Sequence, residues 1–232
     1  DALRGISTEG LPLALQGAER NFVSITDPST YRFPATRSPW GQVEDPEPLR
    51  NALADALAYT GTPSASGLKA AASAAKLYFD SQTLFASLMG GERRVPSVPY
   101  PGQSTYPVAS LRDGYFHLAE QLRFVAEMIA KDLPCQVYSV SMGGFDTHSN
   151  QAEDLPRLLQ QAGAAMDSFF RDLASITTAK GPAQDRVLMM GFSEFGRRPQ
   201  ENNGGTDHGT AGLGYLLGKG VKGGLYSDYP DL

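Results

Sequence analysis

The chain has 232 residues, of which 41% are hydrophobic and 19% are charged, and this balance supports a folded core and excludes a disordered chain. Its 20 basic and 25 acidic residues give a net charge of −5, so binding of nucleic acid through a broad basic face is not expected. No apolar run reaches the roughly 18–20 residues of a membrane span, and the single cysteine, Cys135, excludes an internal disulfide.

The first part of the chain is predicted to be mainly helix and loop. Residues 1–45 contain many glycines and prolines, which predicts irregular chain over a surface. Helical patterns follow over residues 45–59 and 68–89, and Ser110 is predicted to cap a third helix. The proline-rich segment 92–109 is predicted to be a long loop, either a lid or docking surface or a rigid connection.

The pattern changes after residue 134. Residues 135–140 predict a strand, 155–173 an amphipathic helix, and 186–192 a nearly continuous apolar strand buried on both faces. This order predicts a βαβ unit with two parallel strands and a right-handed crossover. We therefore predict the α/β class and one domain over 1–232, in which 1–134 is mainly helix and loop and 135–232 forms the core.

Acid–imidazole pairs occur in two short motifs, Asp146 with His148 and Asp207 with His208. Residues at i and i+2 of extended chain point to the same side, so Asp146 and His148 can share a divalent cation. The glycines around Asp207 and His208 allow a bent loop that directs both side chains inward. Alternatively, Asp146 only caps a turn before the next loop. Zinc is the preferred metal, and manganese or calcium are alternatives.

Glu194 and Arg197 follow the second predicted strand directly. The two acid–imidazole motifs and the residues Glu194 and Arg197 are all predicted to lie at the carboxyl edge of the sheet, where open α/β folds bind ligands. Glu194 can bind metal, orient a ligand histidine or pair with Arg197, while Arg197 can bind phosphate or sulfate oxygens. A solvated Glu–Arg pair is the alternative. We predict both residues as catalytic.

Ser141 offers a different interpretation. Residues 140–144 resemble the nucleophile elbow of α/β-hydrolases, in which a serine follows a strand. However, Ser139 stands where that motif has glycine, and no helix is predicted directly after Ser141. A serine esterase is therefore kept as the lesser alternative.

Three motifs together resemble a known family: GGFDTHSN at 143–150, SEFGRR at 193–198 and GGTDHGTAG at 204–212. The family is an uncharacterised group of exported bacterial proteins, domain of unknown function 1501, related to sulfatases within the alkaline phosphatase superfamily. The resemblance implies a doubly wound α/β fold, one or two divalent metals and periplasmic or extracellular location. It also implies that Asp146 and His148 bind one metal, and Asp207 and His208 the other.

The predicted function is metal-dependent hydrolysis of a small phosphate or sulfate ester. Relatives in the superfamily take a nucleophile and a further aspartate from an upstream strand, which we do not find in this sequence. The alternative is an exported, non-catalytic metal-binding or surface protein with a degenerate hydrolase fold. Substrate, metal number and oligomeric state stay open.

Overall fold

The computed structural model describes residues 4–8, 22–25, 51, 66–89, 91–101 and 118–227. It contains helices and small sheets, and some strand pairs are parallel, so the α/β class is confirmed at this level. The chain divides into two compact units: residues 1–93 with 133–140, and residues 94–132 with 141–232. The prediction of one domain over 1–232 stays a prediction.

Among its described residues, the first unit contains a parallel three-stranded sheet and a long helix. Strands β1 (Gly5–Ser7), β2 (Phe22–Ser24) and β3 (Val137–Ser139) pair in the order β2-β1-β3, and α1 covers Ser66–Met89. The central strand places Ile6 in the core. The prediction that 1–45 is irregular is wrong at β1 and β2, because three residues are too few to show an apolar alternation.

Two helices form the centre of the second unit. Helix α2 spans Leu118–Ala130 and α3 spans Gln151–Leu173, so the predicted helix 155–173 is confirmed and begins one turn earlier. Leu122, Val125 and Ile129 of α2 are buried, and the polar Gln121 and Glu127 are buried with them. Helix α2 is therefore enclosed around most of its circumference.

The remaining strands of the second unit form three small antiparallel pairs. The longest is a hairpin over residues 196–209, so the bent loop predicted around Asp207 and His208 is a strand in the structure. The pairs are β4 (Thr177–Thr178) with β5 (Gly181–Pro182), β6 (Met189–Gly191) with β9 (Tyr215–Leu217), and β7 (Gly196–Asn202) with β8 (Gly205–Gly209).

The predicted βαβ pairing is wrong in the described part of the chain. The strand predicted at 135–140 is β3, which pairs with β1, while the strand predicted at 186–192 is β6, which pairs with β9 in an antiparallel manner. An apolar run predicts a strand but does not identify its neighbour. Burial on both faces is also wrong, because the alternate residues Leu188, Met190 and Phe192 are 63%, 66% and 69% exposed.

The cap predicted at Ser110 and the loop predicted beyond residue 101 lie outside the described residues, and of the helix predicted at 45–59 only residue 51 is described, which is helical. Segment 91–101 contains neither helix nor strand, as predicted. Within the residues that are described, no helix is long and apolar enough to cross a membrane.

A buried carboxylate fixes segment 91–101 to α3. Asp172 is fully buried, and both of its oxygens accept hydrogen bonds from Arg94 at 2.7 and 2.6 Å. The main chain and hydroxyl of Ser97 donate to the same carboxylate at 2.8 and 3.0 Å, and Tyr100 donates at 3.1 Å. This part of the predicted loop is therefore tightly anchored, which favours a rigid connection over a lid.

Candidate metal centre

The candidate site is formed by the loop before α3 and the β7–β8 hairpin. The main-chain N–H of Gln151, at the start of α3, donates to Gly204 at 2.9 Å. In addition, the main-chain N–H of Thr206 lies 3.4 Å from the Thr147 carbonyl oxygen. These contacts hold the hairpin against the loop, so motifs that are distant in sequence become neighbours.

Three side-chain nitrogen atoms converge on one oxygen of Asp146. Its Oδ1 lies 2.7 Å from Nε2 of His208, 3.0 Å from Nε2 of His148 and 2.9 Å from a guanidinium nitrogen of Arg197. Asp146, His148 and His208 each offer one ligand atom, and these atoms all lie within 4.8 Å of one another. The structure thus brings three of the four predicted metal ligands together.

Alternation of side chains explains why Asp146 and His148 point to the same place. Both are well exposed, whereas Thr147 between them is only 5% exposed and turns into the interior. The chain is turned here and not extended, because the main-chain N–H of Thr147 donates to Phe145 at 2.9 Å and that of His148 donates to Asp146 at 3.2 Å. The shared direction that the i, i+2 spacing predicted is therefore observed, but successive tight turns produce it and not a strand.

Arg197 connects the two halves of the site. Its guanidinium donates to the carbonyl oxygens of Phe145 and Thr206 as well as to Asp146. The side chain is mostly buried, and its donors are directed at the protein itself. The observed contacts therefore make Arg197 a group that holds the loop on the hairpin.

Phe195 was not identified from the sequence, although it contacts the site directly. Its ring stacks on His208 with centroids 4.2 Å apart and planes 7° from parallel, and the Arg197 guanidinium lies 5.1 Å from the same ring centroid. Such stacking restricts rotation of the imidazole. No sequence signal separates this phenylalanine from an ordinary core residue.

Asp207 and Glu194 do not belong to the group of three converging ligand atoms in the described residues. Oδ1 of Asp207 is 3.5 Å from Nδ1 of His148, and Asn202 donates to its Oδ2 at 3.2 Å. Glu194 is exposed and makes no hydrogen bond or ion pair with the residues that the structure describes. The predicted roles of these two carboxylates stay predictions.

The charge state of Asp146 suits a cation. The hydrogen bond with His208 lowers the pKa of the Asp146 carboxyl below its ordinary value; burial acts in the opposite direction, and the nearby charges of His148, His208 and Arg197 lower the pKa further. The carboxylate therefore stays ionised over the ordinary working pH range. Two imidazoles and one carboxylate form a common ligand set for catalytic zinc, which leaves a further coordination position open.

Gly205 is required where the hairpin approaches the loop. A Cβ at this position would overlap the main-chain atoms of His148 and Thr147, which cannot rotate away. We expect Gly205→Ala to separate β8 from the loop, to lower the free energy of unfolding by about 1–3 kcal/mol and to weaken metal binding. Chemical denaturation and metal titration test this. Gly220→Ala, where a Cβ meets nothing within 4 Å, is the control, and equal behaviour of both variants would contradict the expectation.

Comparison with known families decides the relationship. The family described as "Protein of unknown function (DUF1501)" matches residues 106–232, which is more than half of the chain and includes every residue of the candidate site. The chain belongs to this family. No curated protein and no solved structure gives a significant match. Membership in DUF1501 assigns no activity, so the chemistry has to be argued from the site.

Proposed function

We propose that this DUF1501 protein is a metal-dependent hydrolase of phosphate or sulfate esters. The observation that carries the proposal is the convergence of Asp146, His148 and His208, whose ligand atoms lie within 4.8 Å of one another on a surface-accessible part of the second unit. Catalytic zinc sites use three protein ligands of these types and keep one position for water or substrate.

The residues present fit a divalent metal by number, type and position. One carboxylate and two imidazoles come from two segments that the hairpin and loop contacts hold in place, with zinc preferred and manganese as an alternative. When bound, the metal supplies an activated water and a positive charge near the substrate. Phe195 holds the ring of His208, and Arg197 holds the ligand Asp146.

The substrate class follows from charge and from the family resemblance. A bound divalent metal would supply the positive charge that an anionic phosphate or sulfate ester requires, whereas the guanidinium of Arg197 is committed to Asp146 and to two main-chain carbonyl oxygens. Glu194 is proposed as a general acid or base because it directly precedes Phe195, which stacks on His208, and because its carboxylate is exposed. The resemblance to sulfatases adds an alkaline-phosphatase-like, doubly wound fold and a location outside the cytoplasm as parts of the same proposal.

The test measures metal content and turnover on one set of proteins. Wild type is expected to retain about one equivalent of zinc after dialysis and to hydrolyse an aryl phosphate or aryl sulfate, whereas His208→Ala is expected to lose both properties. Asp185→Ala is the control, because Asp185 pairs with Lys219 outside the cluster. Metal retention by His208→Ala equal to wild type would refute the metal site, and metal binding without turnover would refute only the hydrolase.

One observation favours a second candidate, an exported metal-binding protein without catalysis. Among the described residues, no serine or threonine hydroxyl is hydrogen-bonded to Asp146, His148 or His208, so a protein nucleophile is not visible at the cluster. The serine esterase with Ser141 has weaker support. Gln121 binds the main chain of Ser141 at 2.8 and 2.9 Å, and no histidine is hydrogen-bonded to its hydroxyl in the described part.

A further inference from the structure

The two ring nitrogens of His148 face different carboxylates. Nε2 lies 3.0 Å from Oδ1 of Asp146, and Nδ1 lies 3.5 Å from Oδ1 of Asp207. A cation shared with Asp146 and His208 has to be bound through Nε2, because that nitrogen faces the other two ligands. The Nδ1 side of the ring, with Asp207, is then directed away from the cation.

Strand geometry gives an independent reason for separating Asp207 from His208. Both lie in β8, where successive side chains project from opposite faces. His208 is the one that reaches Asp146, at 2.7 Å. Asp207 contacts His148 and Asn202 instead, and no group of three potential ligands in the described residues includes it.

We infer that Asp207 is a positioning residue that orients His148, and not a ligand of the metal. This inference rests on the proposed metal site. A histidine that binds metal through one nitrogen commonly donates its other N–H to a carboxylate, which fixes the tautomer and the ring orientation. Asn202 holds Oδ2 of Asp207 at 3.2 Å and leaves Oδ1 for Nδ1 of His148.

The same arrangement assigns Asn202 a supporting role. The contacts run from Asn202 to Asp207, from Asp207 to Nδ1 of His148, and from Nε2 of His148 to the ligand cluster. The Nδ1–Oδ1 distance of 3.5 Å is longer than an optimal hydrogen bond. We expect it to shorten when Nε2 binds a cation, because polarisation of the ring makes the Nδ1 proton a stronger donor.

Calorimetric titration of the metal-free chain with Zn²⁺ tests this, together with visible absorption spectra of the Co²⁺-loaded protein. For Asp207→Ala we expect unchanged stoichiometry, an unchanged Co²⁺ spectrum and an affinity about 10–100-fold lower. Asp207→Asn is expected to recover most of that affinity, since an amide oxygen accepts the Nδ1 proton. Asp185→Ala serves as the control outside the cluster.

The outcomes separate this inference from the proposed function. Loss of a metal equivalent or an altered Co²⁺ spectrum in both Asp207 variants would make Asp207 a ligand and overturn the inference. Wild-type affinity in Asp207→Ala, with binding lost in His208→Ala, would also overturn it and leave the metal site standing. Binding that survives unchanged in His208→Ala would remove the metal site and this inference with it. Altered thermal unfolding of metal-free Asp207→Ala, without rescue by Asn, would overturn the inference by showing a merely structural role.

Discussion

Replacing Asp172 with alanine is expected to lower the free energy of unfolding by about 3–5 kcal/mol, the usual cost of breaking a buried ion pair. Asp172 is fully buried and accepts hydrogen bonds from Arg94, Ser97 and Tyr100. Its removal leaves the Arg94 guanidinium, which is only 21% exposed, without its main partner. Segment 91–101 would lose its hydrogen bonds to Asp172 and would keep the one that Ser168 of α3 donates to the Pro99 carbonyl oxygen at 3.0 Å.

Chemical denaturation measures this effect, and the chain offers a matched control. Asp167 lies in the same helix, is 64% exposed and pairs with Arg171 one turn away. Asp167→Ala is expected to change stability by no more than about 0.5 kcal/mol. If Asp172→Ala lowers the free energy of unfolding by less than about 1 kcal/mol, segment 91–101 is anchored by other contacts.

The same carboxylate predicts how stability depends on pH. Burial by itself raises the pKa of Asp172, but hydrogen bonds from Arg94 and Ser97 outweigh it and hold the pKa below its ordinary value. The stabilisation is therefore complete above the ordinary aspartate pKa and is lost as the pH falls through the lower, folded value. The free energy of unfolding of Asp172→Ala should therefore decrease less than that of wild type when the pH is lowered from neutral to acidic.

Asp146→Ala is expected to have the largest effect on metal binding. Asp146 is the group on which both imidazoles converge, and it supplies the negative charge of the three-ligand cluster. Its loss leaves two neutral nitrogens beside the Arg197 cation, an unfavourable place for a divalent ion. We expect the affinity for Zn²⁺ to fall by more than the roughly 10–100-fold that removal of an outer partner costs.

The variant should still fold, which keeps this result interpretable. Asp146 is more than half exposed, so alanine there creates no cavity in the core. Asp146→Asn retains the shape and is expected to bind more weakly than wild type but more tightly than alanine. Calorimetry on metal-free protein provides the measurement, with Asp185→Ala as the control. Equal affinity in wild type and Asp146→Ala would mean that the cation, if bound, lies elsewhere.

Local patterns in the sequence predicted the grouping of site residues better than the topology. The i, i+2 spacing predicted the shared side of Asp146 and His148, whereas the glycines predicted to form a bent loop around Asp207 and His208 lie in β8, where Gly205 allows close approach to the loop before α3. The pairing of β3 with β1 and of β6 with β9 could not be read in the same way, because strand partners depend on contacts between distant residues.

The second acid–imidazole pair illustrates where the sequence argument stops. A bent loop was predicted to turn Asp207 and His208 toward one metal, whereas the structure places both in β8. Asp207 contacts the Nδ1 side of His148, and the ring of His208 lies beside the ring of the same histidine. The two neighbours in β8 therefore approach His148 from different sides. Likewise, the stacking of Phe195 on His208 depends on the hairpin register, which composition does not reveal.

The reach of Arg197 across loop and hairpin has a consequence for the order of assembly. Asp146 and His208 are 62 positions apart, and the guanidinium that steadies them is 51 positions from Asp146. Closing such large loops costs entropy that only a completed tertiary fold repays. In nascent or partly unfolded chains Asp146 and His208 are therefore not held together. A cation at the proposed site would bind only after folding is complete and would then stabilise the folded state.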